Sequence, residues 1–236
     1  MNISIVGAGR AGTSFASALE RVGHHVELVH HDASSIGDSS HVILCVPDDA
    51  ISSVAASIAI REERVIAHVA GSRNLDVLAP HPRVGSLHPL MALPSGSGAD
   101  RLIGATYCVA GDDVVREVAL SLAGRVITLG DEQRTTYHAA AVVASNHLVT
   151  LMGQVRTLAE SIGLSLEDFL PLAERTLSDV ARLGPDDALT GPASRGDMAT
   201  IDAHLAAIPE SERSTYVALA NAAFELSEQR RAQSRA

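Results

Sequence analysis

An α/β protein, with a doubly wound parallel sheet followed by an all-helical C-terminal region, is what this sequence predicts, on three observations. The chain opens with a short apolar run, Ile3 to Val6, and then places Gly7, Gly9 and Gly12. Short β-branched runs bounded by turn residues recur as far as Leu129, with helical periodicities between them. Beyond Gly130 only the helical period remains. Short apolar runs closed by glycine or proline read as strands buried on both faces, and their alternation with helices makes a parallel sheet.

The opening element carries the most information. Ile3 to Val6 leads into GAGRAG, the G-x-G-x-x-G spacing, and Phe15, Leu19 and Val22 then fall at helical intervals until Gly23. In that spacing the first glycine permits a tight turn, the second lets backbone approach a pyrophosphate, and the third lets helix pack on strand. The helix N-terminus so formed presents free N–H groups and a positive dipole end to an anion. Gly7, Ala8, Gly9, Arg10, Ala11 and Gly12 are therefore the expected dinucleotide cradle, with Arg10 reaching the pyrophosphate or a 2′-phosphate. A second strand, Val26 to Val29, completes a Rossmann-like start.

The residues after that strand read the adenosine ribose. Counting about 20 residues from Gly12 reaches Asp32, which would accept from a free 2′-hydroxyl and favour NAD. The strand ends at Val29, however, which puts His30 at its terminus and His31 just past it, with an imidazole beside a 2′-phosphate. The reading leans to NADP and leaves NAD open. His41 to Val46 is the third strand, ended by Pro47, so Val46 and Pro47 join the cofactor-binding set at the carboxyl edge of the sheet. Asp48 and Asp49 are expected to cap a helix from Ala50 to Ile60. Val65 to Val69, Val84 to Leu87, Ala105 to Ala110 and Gly124 to Leu129 are the further strands, and Pro94 to Gly98 is a flexible loop. Residues 1–130 form the dinucleotide-binding domain and 131–236 a helical substrate and dimerisation domain. A single helix is expected from Asp131 to Ile162, then helices over Leu166 to Arg182, Ala199 to Ile208 and Ser211 to Arg230.

Composition narrows the chemistry. The net charge of −10 disfavours nucleic acid as a partner, no apolar run approaches a membrane span, and no signal peptide is evident, so a cytoplasmic enzyme is expected. Cys45 and Cys108 lie in strand-like runs without metal-ligand spacing, which predicts buried free thiols and no metal site. All 18 basic residues are arginine. With no side-chain amine in the chain, proton transfer falls to histidine, carboxylate, tyrosine or water.

GAGRAG, VPDDAI at 46–51, SLHPL at 86–90, YHAAAVVASN at 137–146 and LTGPASRGD at 189–197 together resemble a bacterial oxidoreductase family. Its members pair a Rossmann-like domain with a C-terminal helical domain of unknown function. They are similar to pyrroline-5-carboxylate reductase, ketopantoate reductase and 6-phosphogluconate dehydrogenase. The resemblance covers essentially the whole chain and implies a 6-phosphogluconate-dehydrogenase-like helical domain and an NADP-linked reduction. Some members look like a 2-dehydropantoate reductase of pantothenate synthesis, and others carry a deazaflavin-dependent NADP oxidoreductase label. Related hydroxyacid dehydrogenases place a catalytic lysine four residues before a helix asparagine. Here that position is Val142, four before Asn146, so the lysine mechanism does not transfer.

The remaining candidates follow from what hydride transfer leaves to the protein: a proton donor and groups that hold the substrate. At 100° per residue His138, Ser145 and Val149 share a narrow helical stripe, with Asn146 to one side. His138 is the first candidate donor, Asn146 a partner for a substrate carbonyl or carboxylate, and Ser145 a hydroxyl contact; buried structural hydrogen bonds are the competing role. His88, held before Pro89 at a strand end, touches nicotinamide, substrate or neither. Arg195 would clamp a carboxylate, with Thr190 beside it, unless Arg195 pairs with Asp197 and pins the loop. His24, His25, His41, His68, His81, His147 and His204 show no supporting pattern. The expected activity is NAD(P)H-dependent reduction of a carbonyl in a small carboxylate, 2-dehydropantoate foremost. Substrate is expected in the cleft between the domains. A deazaflavin-dependent oxidoreductase, an imine reductase and a non-catalytic dinucleotide-binding protein are the alternatives. The apolar stripe Leu148, Leu151, Val155 and Leu158 predicts a homodimer that covers it.

Overall fold

The computed structural model describes residues 1–30, 36–94 and 98–233. By its packing the chain forms two compact units, Met1–Ser145 and Asn146–Ala236.

The first unit is a seven-stranded sheet with helices on its faces. Strand β1 (Asn2–Val6) leads through the glycine turn to helix α1 (Arg10–Arg21) and strand β2 (His25–Val29). Then come β3 (His41–Leu44), α2 (Ile51–Ser57), β4 (Val65–His68) and β5 (Arg83–Pro89). The unit continues with α3 (Gly98–Leu102), β6 (Thr106–Gly111), α4 (Asp113–Ser121), β7 (Arg125–Thr128) and α5 (Arg134–Val142). The strand order is β2-β1-β3-β4-β5-β6-β7. Successive side chains of a strand point to opposite faces. Ile3, Ile5, Ile43 and Cys45 accordingly pack with Phe15, Leu19 and Leu122, while Val6, Val42 and Leu44 pack with Ile51, Ile66 and Leu78. Each fully buried Leu, Ile or Phe contributes roughly 1.5–3 kcal/mol, and both faces of the sheet gain it.

Three details differ from the sequence reading. The sheet is parallel except between β5 and β6, which pair antiparallel with His88 opposite Cys108. Alternation of strand and helix predicts parallel neighbours, but the chain between β5 and β6 holds only the short α3 among its described residues, so no full crossover helix intervenes. Asp48 and Asp49 do not cap α2, whose N-cap is Ala50 without a side-chain bond. Instead Asp48 accepts from Ser72 Oγ at 3.2 Å and pairs with Arg73 at 3.7 Å. Thirdly, the helix expected from Asp131 to Ile162 is not a regular one. A 3₁₀ turn at Asp131–Gln133 precedes α5, a π-helical turn occupies Val143–His147, and α6 (Leu148–Glu160) follows. Ser145 Oγ donates to the Ala141 carbonyl at 2.7 Å, so a side chain competes for an acceptor that a regular helix would use. The even 100° progression behind the His138–Ser145–Val149 stripe does not hold through this turn.

The second unit is helical. After α6 come a 3₁₀ turn at Leu166–Asp168, α7 (Leu170–Leu183), two short helices α8 (Pro185–Ala188) and α9 (Pro192–Arg195), α10 (Met198–Ala207) and α11 (Glu210–Gln233). Asp197 caps α10, accepting from Thr200 N at 3.1 Å and Thr200 Oγ1 at 2.7 Å. The Arg195–Asp197 ion pair that would pin the loop is not formed; the carboxylate is spent on the helix N-terminus instead. Leu148, Leu151, Val155 and Leu158 are half-buried. Greater apolar exposure falls on Val149, Ile162 and Leu172, at 73%, 69% and 67%.

Candidate functional site

The glycine turn has the form its spacing predicts. Gly7 takes φ +105°, a region that L side chains avoid, and a Cβ there would stand 2.5 Å from the Cys45 carbonyl oxygen. A Cβ on Gly12 would fall 1.7 Å from Gly7 O, so the third glycine is what lets α1 close on β1. A Cβ on Gly9 would meet nothing within 4 Å, which leaves that backbone face open to a ligand. The first turn of α1 has no acidic residue and no side-chain cap, so its N–H groups and dipole are available to an anion. These features fit a dinucleotide pyrophosphate, with Gly7, Ala8, Gly9, Arg10, Ala11 and Gly12 as the residues that would hold it.

Two clefts meet at Gly9 and Arg10. One, of about 500 Å³, runs along the outer side of α1 past Thr13 and Ser17 toward Asp100. The other, of about 460 Å³, is lined by Gly9, Arg10 and Ala11, by Cys45, Val46 and Pro47 after β3, by Val69, and by His88, Pro89, Met91 and Leu93. Glycine turn, post-β3 loop and His88 thus share a single concavity at the carboxyl ends of the parallel strands, the edge where this class of sheet takes ligands. His30 stands exposed just past β2, and His31 and Asp32 lie outside the described residues.

At the inner end of the second cleft His88 belongs to a cluster built by α5 on β5. Its Nδ1 lies 2.7 Å from the Tyr137 hydroxyl, and the two rings meet edge-on with centroids 5.5 Å apart. His138 meets His88 edge-on on its other side at 6.1 Å. Gly71 makes room for both: a Cβ there would stand 2.6 Å from His138 Cδ2 and 2.9 Å from His88 Nε2. One turn earlier on α5, the fully buried Arg134 donates from Nη2 to Ser86 Oγ on β5 and lies 3.4 Å from Asp131. His68, fully buried on β4, accepts from Ala70 N at 3.2 Å.

Burial and neighbouring charge keep His88 and His68 uncharged. Burial holds His88 down at about 4, helped by the positive charge that His138 and Arg134 would set beside it. Burial, then Arg134, holds His68 at about 4. Burial raises the Tyr137 phenol above its ordinary value, with Arg134 opposing. At neutral pH the pair is a neutral phenol against a neutral imidazole. When the hydroxyl donates to Nδ1, the ring hydrogen of His88 sits on Nε2, the nitrogen that the absent Gly71 side chain leaves uncovered.

The structure brings His88 and His138 together, adds the cofactor-binding candidates Gly9, Arg10, Ala11, Val46 and Pro47 to the cleft that His88 lines, and ends the first unit at the half-buried Ser145. Asn146, Thr190 and Arg195 belong to the second unit and are exposed. Tyr137, Arg134, Gly71, Ser86 and His68 were not singled out by sequence. The one available signal was Tyr137 beside His138 in YHAAAVVASN, where the tyrosine is the adjacent hydroxyl. Among the described residues no three His, Cys, Asp or Glu side chains converge as a metal site, and no helix is long and apolar enough to cross a membrane.

Sheet, glycine turn and carboxyl-edge cleft define a Rossmann-like fold with a helical C-terminal region. Residues 105–223, half of the chain, match the family described as a domain of unknown function, DUF2520, and the chain belongs to that family. No curated protein matches the sequence. Among solved structures, a candidate NADP oxidoreductase from Bacteroides fragilis is similar, with TM-score 0.82 at 24% identity over 95% of this chain and 98% of that one. An imine reductase from Streptomyces aurantiacus gives 0.65 at 17% over 97% and 99%, and 1-pyrroline-5-carboxylate reductase from Streptococcus pyogenes 0.63 at 14% over 95% and 98%. At these identities the likeness is one of fold.

Proposed function

We propose that this protein is an NADP(H)-linked reductase of the C=O or C=N bond of a small carboxylate, with reduction of 2-dehydropantoate to pantoate as the leading specific reaction. The observation that supports it is a juxtaposition: an open glycine turn at a helix N-terminus shares its cleft with an uncharged histidine hydrogen-bonded to a tyrosine. Similar folds in an NADP oxidoreductase candidate, an imine reductase and a pyrroline carboxylate reductase agree with it. The exposed His30 and Arg10 favour a cofactor carrying a 2′-phosphate over NAD.

The nicotinamide, when bound, supplies the hydride. The chain's own residues do the rest. The α1 N-terminus and Arg10 hold the diphosphate, and Val46, Pro47 and Met91 wall the cleft against water. Nε2–H of His88 gives a proton to the oxygen or nitrogen that gains charge, and the Tyr137 hydroxyl refills Nδ1. His138, edge-on to His88, is the alternative donor; His88→Ala and His138→Ala separate the two, since only the true donor removes turnover with NADPH affinity intact. Asn146, Ser145, Thr190 and Arg195 are substrate contacts in this reading, and Arg195→Ala should raise KM for a carboxylate substrate. A second copy of the chain is the proposed cover for Val149, Ile162 and Leu172, and sedimentation at the mass of a single chain would refute it.

The test is loss of absorbance as NADPH is oxidised, with 2-dehydropantoate, a set of 2-oxo acids and cyclic imines as substrates and NADH in parallel. Turnover of 2-dehydropantoate establishes cofactor and substrate together. Turnover only of cyclic imines moves the assignment to the imine reductase reading. NADPH binding without any turnover defeats the reductase reading with this cofactor and leaves a deazaflavin partner or a non-catalytic dinucleotide-binding role.

A further inference from the structure

Arg134 is fully buried, yet nothing in the proposed reaction touches it. Its Nη2 donates to Ser86 Oγ, Asp131 stands off Nε at 3.4 Å, and Nε and Nη1 make no hydrogen bond. Burying a guanidinium with three of its five N–H donors idle is unfavourable for folding. It sits one helical turn before Tyr137, and its strand partner Ser86 stands two residues before His88, so the cation is anchored near the tyrosine–histidine pair and its charge reaches both groups.

We propose that Arg134 is a positioning residue whose buried charge keeps His88 from becoming imidazolium and supports the tyrosinate that the relay leaves at Tyr137. The proposal rests on the reductase reading above. The proton balance is closed: His88 Nε2 loses its hydrogen to the substrate atom, Nδ1 takes the hydroxyl hydrogen of Tyr137, and the phenolate is left beside the guanidinium. Solvent returns the proton once product has gone. A fixed cation disfavours imidazolium at His88 and favours phenolate at Tyr137, the directions in which Arg134 acts on both groups. The other charged or titratable groups around His88 are His138 on α5, His68 on β4, Cys108 opposite it on β6, Asp48 beyond β3 and Arg10 across the cleft. Of these only Asp48 favours imidazolium and Arg10 is exposed, so the buried cation is the charge that a substitution can remove without opening the cleft.

The experiment is a histidine-resolved NMR titration of the ligand-free protein, wild type against Arg134→Met and Arg134→Lys, with a pH profile of turnover beside it. Arg134→Met should move the His88 midpoint upward by about one pH unit and lower kcat on the order of 10²-fold, with KM and NADPH affinity within about threefold. Arg134→Lys keeps the charge and should leave the midpoint at its wild-type value. An unmoved midpoint in Arg134→Met, or a lysine variant that behaves like the methionine one, overturns the proposal. Where Arg134→Met does not fold, the uncharged but polar Arg134→Gln takes its place; a His88 midpoint that stays put there refutes the proposal. The titration needs neither substrate nor cofactor. A wild type that turns over no substrate while its His88 midpoint responds as expected therefore counts against the reductase reading and not against Arg134.

Discussion

Replacing Gly71 by alanine tests whether the spacing of the imidazole cluster matters to the chemistry. The new methyl group would stand 2.6 Å from His138 Cδ2 and 2.9 Å from His88 Nε2, where ordinary contact begins near 3.4 Å. The His138 ring must therefore retreat by about 0.8 Å and the His88 ring by about 0.5 Å, and His88 is tied on its far side to Tyr137 at 2.7 Å. Gly71 is not among the positive-φ residues, so alanine adds no backbone strain. Overpacking of this size costs about 1–3 kcal/mol, a melting temperature lower by roughly 2–4 °C per kcal/mol in a chain of this length. Displacing a reacting group by nearly 1 Å costs on the order of 10²-fold in rate. The assay is steady-state kcat and KM for the substrate found above, with NADPH affinity by fluorescence and thermal unfolding as controls. The expected result is kcat down about 10²-fold with NADPH affinity within about threefold. Full kcat in a folded Gly71→Ala protein would refute the argument that these rings work at their observed spacing.

Tyr137→Phe removes the hydroxyl from His88 Nδ1 and should lower kcat by about 10² or more while leaving NADPH affinity unchanged; unchanged kcat would remove tyrosine from the relay. His68 is fully buried and held at about 4 in the fold against 6.5 when unfolded, so between those values the unfolded chain binds more protons and stability falls as pH falls. That single group should cost on the order of 3 kcal/mol between pH 7 and pH 4, and denaturant unfolding of His68→Leu should show a flatter pH dependence than wild type. Asp112 caps α4 through Val114 N at 3.1 Å and takes two bonds from Arg83, so Asp112→Ala should cost roughly 2 kcal/mol by urea unfolding without altering turnover; a loss of kcat instead would place this strand end in the reaction.

How much of this could be read from the sequence depends on how far apart the partners are. The glycine turn was legible because its three glycines, the strand before it and the helix after it lie within one short stretch, and the close approach of Gly12 to Gly7 is set inside that stretch. His88 was legible as a restrained residue at a strand end, since proline follows it. Tyr137 and Arg134 were not, because what gives them meaning is α5 lying along β5, almost fifty residues away in the chain, and no local periodicity encodes that docking. His68 shows no supporting pattern in the sequence for the same reason. The antiparallel step at β6 escaped for a different reason: a run such as Thr106 to Gly111 looks the same in either direction, and only the connection before it decides. The π turn at Val143–His147 escaped because hydrophobic spacing assumes a constant helical period, which Ser145 locally defeats.

The docking of α5 on β5 has a consequence for how this chain can change. Ser86 and His88 lie two apart on one face of a strand, and Arg134 and Tyr137 three apart on one face of a helix, so two rulers of different pitch are read against each other at two marks. Substitutions elsewhere leave that alignment intact. A single residue inserted or deleted between either pair would flip one mark to the far face of the sheet or swing it about 100° around the helix. The paired spacings S-x-H and R-x-x-Y should therefore be preserved in length wherever this proton path is in use, and a chain that has lost one interval should be found to have lost the other.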